Sequence, residues 1–199
     1  MLNDIIILDD FVPKQYCDLI ERDILSPRVP WHYMRDITWD EYDIEKYNIK
    51  TLMPAFAHKY FKEGEGVVSP GYGLVLPVLY LACEKIGYNI KEILAVRSFL
   101  TMPIPHLDML IDHPHIDRAQ NCINMIYYVN DSDGDTVFFN ETSDDVHPDN
   151  LKTLKVSDLT IVKRVTPKKG RAVLFNGNIF HSGSRPTSGH RCIVNYGLL

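Results

Sequence analysis

The sequence predicts a mainly-β, α+β protein in which N-terminal helices back a sandwich or barrel of short strands. Three observations lead there. The texture breaks near Ile93, after which apolar runs of strand length alternate with turn residues. Before that point two segments carry helix signals with identifiable ends. The composition is that of a folded core, with 45% hydrophobic residues and eleven Tyr, eight Phe and two Trp in a charged background. At 199 residues the chain is long enough for one sizeable core, so a single domain over 1–199 is expected. Its helical support spans about 1–92 and its β core about 93–199. No internal repeat or low-complexity linker interrupts it.

Taken in order, Ile5 to Leu8 is a short apolar run stopped by Asp9 and Asp10, and reads as a strand. Pro13 then opens an amphipathic segment carrying Cys17, Leu19, Ile20 and Ile24. Trp31 to Tyr47 has no clear period and reads as irregular structure with at most one strand. A second helix is expected from about Gly73 to Ile86, ended by Gly87, although Pro77 inside it argues against an unbroken helix. The strand-like runs are Ile93 to Met102, Cys122 to Val129, Thr136 to Phe139, Leu159 to Val165, Ala172 to Phe175 and Cys192 to Tyr196. Between the second and third lies DSDGDT, residues 131–136, made of turn formers. It has the acids of a calcium loop in the wrong order, because that motif needs Gly after its third acid and Gly134 precedes Asp135. The loop is therefore assigned to structure.

Composition also narrows the function classes. The net charge of −5 argues against a general nucleic-acid binder, and the basic residues gathered in 151–171 read as solvated strands and a turn. No run of about 18 apolar residues occurs, and the start MLNDIIILDD lacks the basic flank and cleavage site of a signal peptide. A cytoplasmic protein without membrane attachment is expected, in the host cytoplasm if the chain is viral. Cys17, Cys83, Cys122 and Cys192 show no CxxC spacing and read as reduced, buried side chains.

The chemistry is carried by histidines. His106-Leu107-Asp108 and His115-Ile116-Asp117 are two HxD triplets, and His181 arrives far downstream. In an extended segment residues i and i+2 project to the same side, so either triplet could offer an imidazole and a carboxylate to one ion. A third ligand from a distant strand would complete two His and one carboxylate on one octahedral face. That donor set, with no thiolate, suits iron(II). An HxD triplet alone is more often a polar loop. Ten residues after His181, Arg191 enters the last apolar strand RCIVNYGLL, where a guanidinium could pair with a carboxylate.

Two stretches, PHIDRAQNCINMIYYVNDSDGDTVFF (114–139) and VTPKKGRAVLFNGNIFHSGSRPTSGHRCIVNYG (165–197), carry a resemblance. They resemble the double-stranded β-helix, a jelly-roll or cupin-like fold, of the 2-oxoglutarate and iron(II) oxygenases. The similarity is to the prolyl-4-hydroxylase-like branch, which includes small stand-alone members from phages and bacteria, and the opening IIILDDFVPKQYCDLI is similar to the strand and helix preceding the core there. In that family the tandem aromatic strand, here Ile126 to Val129, follows the metal-binding His by about a dozen residues. Only His115 satisfies this; His106 falls nine residues too early. The resemblance thus implies His115, Asp117 and His181 as metal ligands, Arg191 as the anchor of the distal carboxylate of 2-oxoglutarate, and Tyr128 beside it. For Tyr128 the alternative is an aromatic core residue.

The resemblance implies Fe(II), 2-oxoglutarate and O2, with ascorbate as an accessory reductant. The implied reaction is hydroxylation of an unactivated C–H bond with release of succinate and CO2. A retained Asp117 favours hydroxylation over halogenation. The acceptor is expected in a peptide or protein, a prolyl residue among the options, or in a small molecule. Two readings from other classes are a non-catalytic cupin-like binding module and a structural interaction protein.

Overall fold

Alternation of apolar residues on two faces of each strand sets the architecture. The computed structural model describes residues 2, 4–50, 52–105, 111–117, 122–147, 150 and 153–199. Its elements run β1 (Ile6–Leu8), α1 (Lys14–Ile24), β2 (His32–Met34), α2 (Glu41–Lys46), β3 (Ala55–Lys62), β4 (Gly66–Val67) and α3 (Tyr72–Ile86). They continue with β5 (Ile93–Thr101), β6 (Ile123–Tyr128), β7 (Thr136–Thr142), β8 (Ile161–Val165), β9 (Ala172–Asn176), β10 (Ile179–Gly183) and β11 (Arg191–Leu198). The large sheet has the order β1-β9-β6-β11-β5-β3-β2, with β4 hydrogen-bonded to β3, and the small sheet the order β10-β7-β8. Every pairing is antiparallel. The two sheets enclose one inner face.

The period of two sorts the core. Met125 and Tyr127 of β6, Leu174 of β9 and Cys192, Val194 and Tyr196 of β11 pack outward with Val75, Val78, Leu79 and Ala82 of α3 and Ile20 and Ile24 of α1. Ile126, Tyr128, Val173, Phe175 and Ile193 point inward and meet Phe138 of β7. Val137, Phe139 and Phe180 cover the outer face of the small sheet.

Both expected long helices are present. α1 begins after Pro13, whose carbonyl accepts from the N–H groups of Tyr16 and Cys17. α3 ends at Gly87 with φ 68°, the left-handed cap that glycine adopts without a Cβ penalty. It runs through Pro77. Tyr16 Oη and Tyr196 Oη donate to the carbonyls of Leu74 and Val75 at 2.7 and 2.8 Å, tying the first turn of α3 to α1 and β11.

The first 92 residues are not helical support alone, because β1 pairs with β9 and β3 with β5, so the N-terminal part supplies strands to the large sheet. The segment 31–47 is likewise more ordered than its texture suggests. It holds β2 and α2, the latter capped by Asp40, whose side chain accepts from the Asp43 N–H at 2.8 Å. The basic stretch is also engaged: Lys169 pairs with Asp18 and Glu21, Arg171 with Asp9, and Lys163 Nζ donates to the Ile5 carbonyl. Among the described residues, no helix is long and apolar enough to cross a membrane.

Candidate metal centre and co-substrate cavity

His181 sits within β10, lines the cavity and lies against Phe138 and Phe175 of the inner face. Its partner is delivered by the main chain. His115 and His181 form an isolated antiparallel bridge, each N–H donating to the other's carbonyl at 3.0 Å, which sets the ring centroids 4.5 Å apart. Each Nδ1 lies near a backbone carbonyl, of His113 at 3.0 Å and of Ile179 at 3.2 Å. A carbonyl can only accept, so Nδ1 carries the proton in both rings and the Nε2 lone pairs are left for an ion. Phe175 and Phe138 flank the His181 ring and fix its plane.

Asp117 completes the cluster. One ligand atom each from His115, Asp117 and His181 lies within 4.8 Å of the others, the one such group of three among the described residues. Asp117 is held by donors from three adjacent strands: Arg97 Nη2 of β5 at 3.1 Å, Asn124 Nδ2 of β6 at 2.7 Å and Asn195 Nδ2 of β11 at 3.3 Å. Burial pushes its carboxyl upward, but the charges of His181, Arg97 and His115 and the Asn195 hydrogen bond hold it below the usual carboxylate range. Burial, then the charge of His115, depresses His181 to about 4 against the pull of Asp117. Two neutral imidazoles and one carboxylate, with no cysteine beside them, are the donor set that a divalent iron accepts. The residues fit the metal. Asn124→Ala is expected to weaken iron(II) binding about tenfold, since partners that orient a ligand typically carry ~10–100-fold in affinity; a chelator-competition titration measures it.

A cavity of about 290 Å³ opens from this cluster, and Arg191 lines its inner end. Arg191 is only 3% exposed, donates from Nε to the Gly134 carbonyl at 2.8 Å and from Nη2 to Thr136 Oγ1 at 2.9 Å. Among the described residues no carboxylate lies within 4.0 Å of it; nearby Asp112 is engaged by Arg185 at 2.8 Å. A buried guanidinium with neutral partners and an open cavity before it is a receptor for a carboxylate. Tyr128 is fully buried and does not line the cavity. Its hydroxyl donates to Thr136 Oγ1 at 2.7 Å, and its ring centroid lies 5.9 Å from the Arg191 guanidinium carbon. Thr136 is thus the wall residue that Tyr128 and Arg191 both engage.

Gly134 explains part of this geometry. A Cβ there would come within 2.6 Å of the Ser184 carbonyl oxygen and 3.0 Å of Arg191 Cδ. Gly134→Ala is therefore expected to cost about 1–3 kcal/mol, seen as a Tm several degrees lower, with weaker 2-oxoglutarate binding beside it. The acids of the same loop have protein partners: Asp131 Oδ1 accepts from the Lys169 N–H at 2.7 Å, and Asp133 accepts from the Thr187 N–H at 3.0 Å.

Of the remaining residues singled out in the sequence, His106 and Asp108 lie outside the described residues. The His113 ring lies 6.0 Å from Trp39 and is not part of the ligand group. Several wall residues gave no sequence signal. Asp36, 1% exposed, accepts from the N–H groups of Thr38, Trp39 and Met53 at 2.8, 2.9 and 2.8 Å, and so builds the turn that brings Ile37, Thr38 and Trp39 onto the cavity. Asn124 and Asn195 did leave a trace, as polar residues inside otherwise apolar strands.

Comparison with known proteins bears on the family and the fold. Residues 104–196 match the model of the 2OG-Fe(II) oxygenase superfamily. Among solved structures, the chain is similar to an oxidoreductase of the 2OG-Fe(II) oxygenase family from Burkholderia pseudomallei, with 12% identity and a TM-score of 0.62 over 98% of this chain and 84% of that one. It is similar to a prolyl hydroxylase from Trichoplax adhaerens in complex with a hypoxia inducible factor peptide fragment, with 11% identity and a TM-score of 0.59 over 98% and 84%. It is also similar to HygX from Streptomyces hygroscopicus with nickel, 2-oxoglutarate and hygromycin B bound, with 10% identity and a TM-score of 0.61 over 98% and 82%. These likenesses share the double-stranded β-helix. No curated protein matches the sequence.

Proposed function

Because the chain belongs, through residues 104–196, to the 2OG-Fe(II) oxygenase superfamily, we propose that it is an Fe(II)- and 2-oxoglutarate-dependent dioxygenase that hydroxylates an unactivated C–H bond. The observation that carries this reading is the placement of the ligand group His115, Asp117 and His181 and the buried Arg191 on one cavity. When bound, Fe(II) with 2-oxoglutarate and O2 supplies the oxidising chemistry, and succinate and CO2 leave.

In this reading the protein binds, orients and excludes. His115, Asp117 and His181 would hold the metal at the cavity that they line. Asn124, Asn195 and Arg97 keep the Asp117 carboxylate aimed. Arg191 receives the distal carboxylate of 2-oxoglutarate and does not move protons, since a guanidinium stays charged at working pH. Tyr128 acts through Thr136, whose oxygen accepts from both Tyr128 and Arg191. The Asp36 turn walls the outer side and limits water. The four cysteines, buried and outside any disulfide, favour work in a reducing cytoplasm.

The acceptor in this reading is a side chain of a peptide or protein, prolyl among the candidates, as the Trichoplax relative's peptide complex suggests. A small-molecule acceptor is the second reading. The modest cavity and the hygromycin B complex of the Streptomyces relative favour it. Turnover decides function first: with iron(II), ascorbate and O2, the protein is expected to convert 2-oxoglutarate to succinate, faster when an acceptor from a peptide or metabolite panel is present. Uptake of metal and 2-oxoglutarate with no turnover under any acceptor would support the cupin-like binding module instead.

A further inference from the structure

Resting on that reading, we propose that Arg97 makes the cavity select an acceptor carrying a carboxylate or phosphate group, with the Thr38 hydroxyl as its second contact. The charges of the site lead to this. Four charged side chains of the described residues line the cavity, Arg97, Arg191, Asp112 and Asp117, and Arg185 pairs with Asp112 from outside the lining. Arg185 is spent on Asp112, both nearly inaccessible. Arg191 faces the distal carboxylate of 2-oxoglutarate. A divalent metal is balanced by Asp117 and the other carboxylate of the co-substrate. The guanidinium of Arg97 then remains as the uncompensated charge, and it is the accessible one: its side chain is 38% exposed where that of Arg185 is 2%.

Arg97 is also held in place. Its guanidinium lies 5.1 Å from the Phe99 ring centroid, Nη2 donates to Asp117, and Nε is buried without a hydrogen-bond partner. These contacts hold the guanidinium at the cavity wall, with Nη1 not engaged by any hydrogen bond among the described residues and so able to donate to a ligand oxygen. Thr38 lines the same cavity and its Oγ1 is buried with no hydrogen-bond partner, so a ligand oxygen that reached it would satisfy it. The Asp36 turn that presents Thr38 is fixed by three backbone hydrogen bonds to one carboxylate. A neutral acceptor would dehydrate the part of the Arg97 guanidinium that Asp117 does not engage without giving it a second anion, which disfavours it.

The test uses the full chain loaded with zinc(II), which cannot turn over, and 2-oxoglutarate. Acetate, inorganic phosphate and neutral acetamide are titrated into it by calorimetry and ligand-detected NMR. Acetate or phosphate, or both, should bind, and acetamide should not; the stronger of the two identifies the anion class. Arg97→Gln should weaken that binding by at least about tenfold, and Arg97→Lys should restore part of it. Thr38→Val, which leaves Asp117 untouched, should weaken it a fewfold with zinc stoichiometry unchanged. Anion affinity equal to that for acetamide in the wild type, or unaltered in Arg97→Gln and Thr38→Val, overturns the inference. Failure to load zinc and 2-oxoglutarate at all would contradict the proposed function instead, so the two failures are distinguishable.

Discussion

Ala at His115, Asp117 or His181 is expected to abolish stoichiometric iron(II) binding, whereas Ala at His106 or His113 leaves the metal bound. The reason is geometric. The three side chains converge within 4.8 Å because a two-residue bridge ties His115 to His181 while three strands aim Asp117 at the same point. Loss of an orienting partner costs ~10–100-fold in metal affinity, and loss of a ligand itself should cost more than about 100-fold. His113 contributes its carbonyl to His115 Nδ1 and its ring packs near Trp39, so His113→Ala keeps the backbone contact that matters. Metal analysis of the five single variants reads the outcome. Iron retained by His115→Ala and lost by His106→Ala would move the site to the upstream triplet.

Arg191→Ala is expected to remove most 2-oxoglutarate affinity while leaving iron(II) binding nearly intact. The truncated site would bury a carboxylate against the Gly134 carbonyl and the Thr136 hydroxyl with no cation, a loss of about 2–5 kcal/mol, roughly thirty- to several-thousand-fold in Kd. Calorimetry against the metal-loaded protein measures it. Unchanged co-substrate affinity would place the carboxylate elsewhere, and Arg185 is too enclosed by Asp112 and the Pro54 carbonyl to receive it.

How far the sequence could be read follows from the range of the signals. Strands β5, β6, β7, β9 and β11 were legible because their apolar runs are bounded by turn residues, and α1 and α3 because Pro13 and Gly87 mark their ends. β10 was not, since Ile179 to Gly183 mixes two apolar residues with His, Ser and Gly that face the cavity or lie at its rim; the residues that build a site erase the periodicity that announces a strand. α2 was missed for a related reason, although the one strand allowed in 31–47 corresponds to β2. The segment 31–47 is organised by long-range contacts, above all the Asp36 carboxylate reaching the Met53 N–H, which no local pattern encodes. The grouping of His115, Asp117 and His181 could be anticipated because HxD, the tandem aromatic strand and the distal His stand in the order that the family resemblance implies. Arg97 could not, because its meaning depends on β5 lying beside β11.

Anaerobic addition of iron(II) and 2-oxoglutarate to the metal-free protein tests the central claim most directly, because chelation of a 2-oxo acid by this iron gives a visible charge-transfer band with no need to know the acceptor. The account predicts one such chromophore per chain, lost in His181→Ala and, at moderate 2-oxoglutarate concentration, in Arg191→Ala, where excess co-substrate restores it. A wild-type protein that binds iron(II) yet develops no band at saturating 2-oxoglutarate, or an Arg191→Ala variant that titrates like wild type, would contradict it.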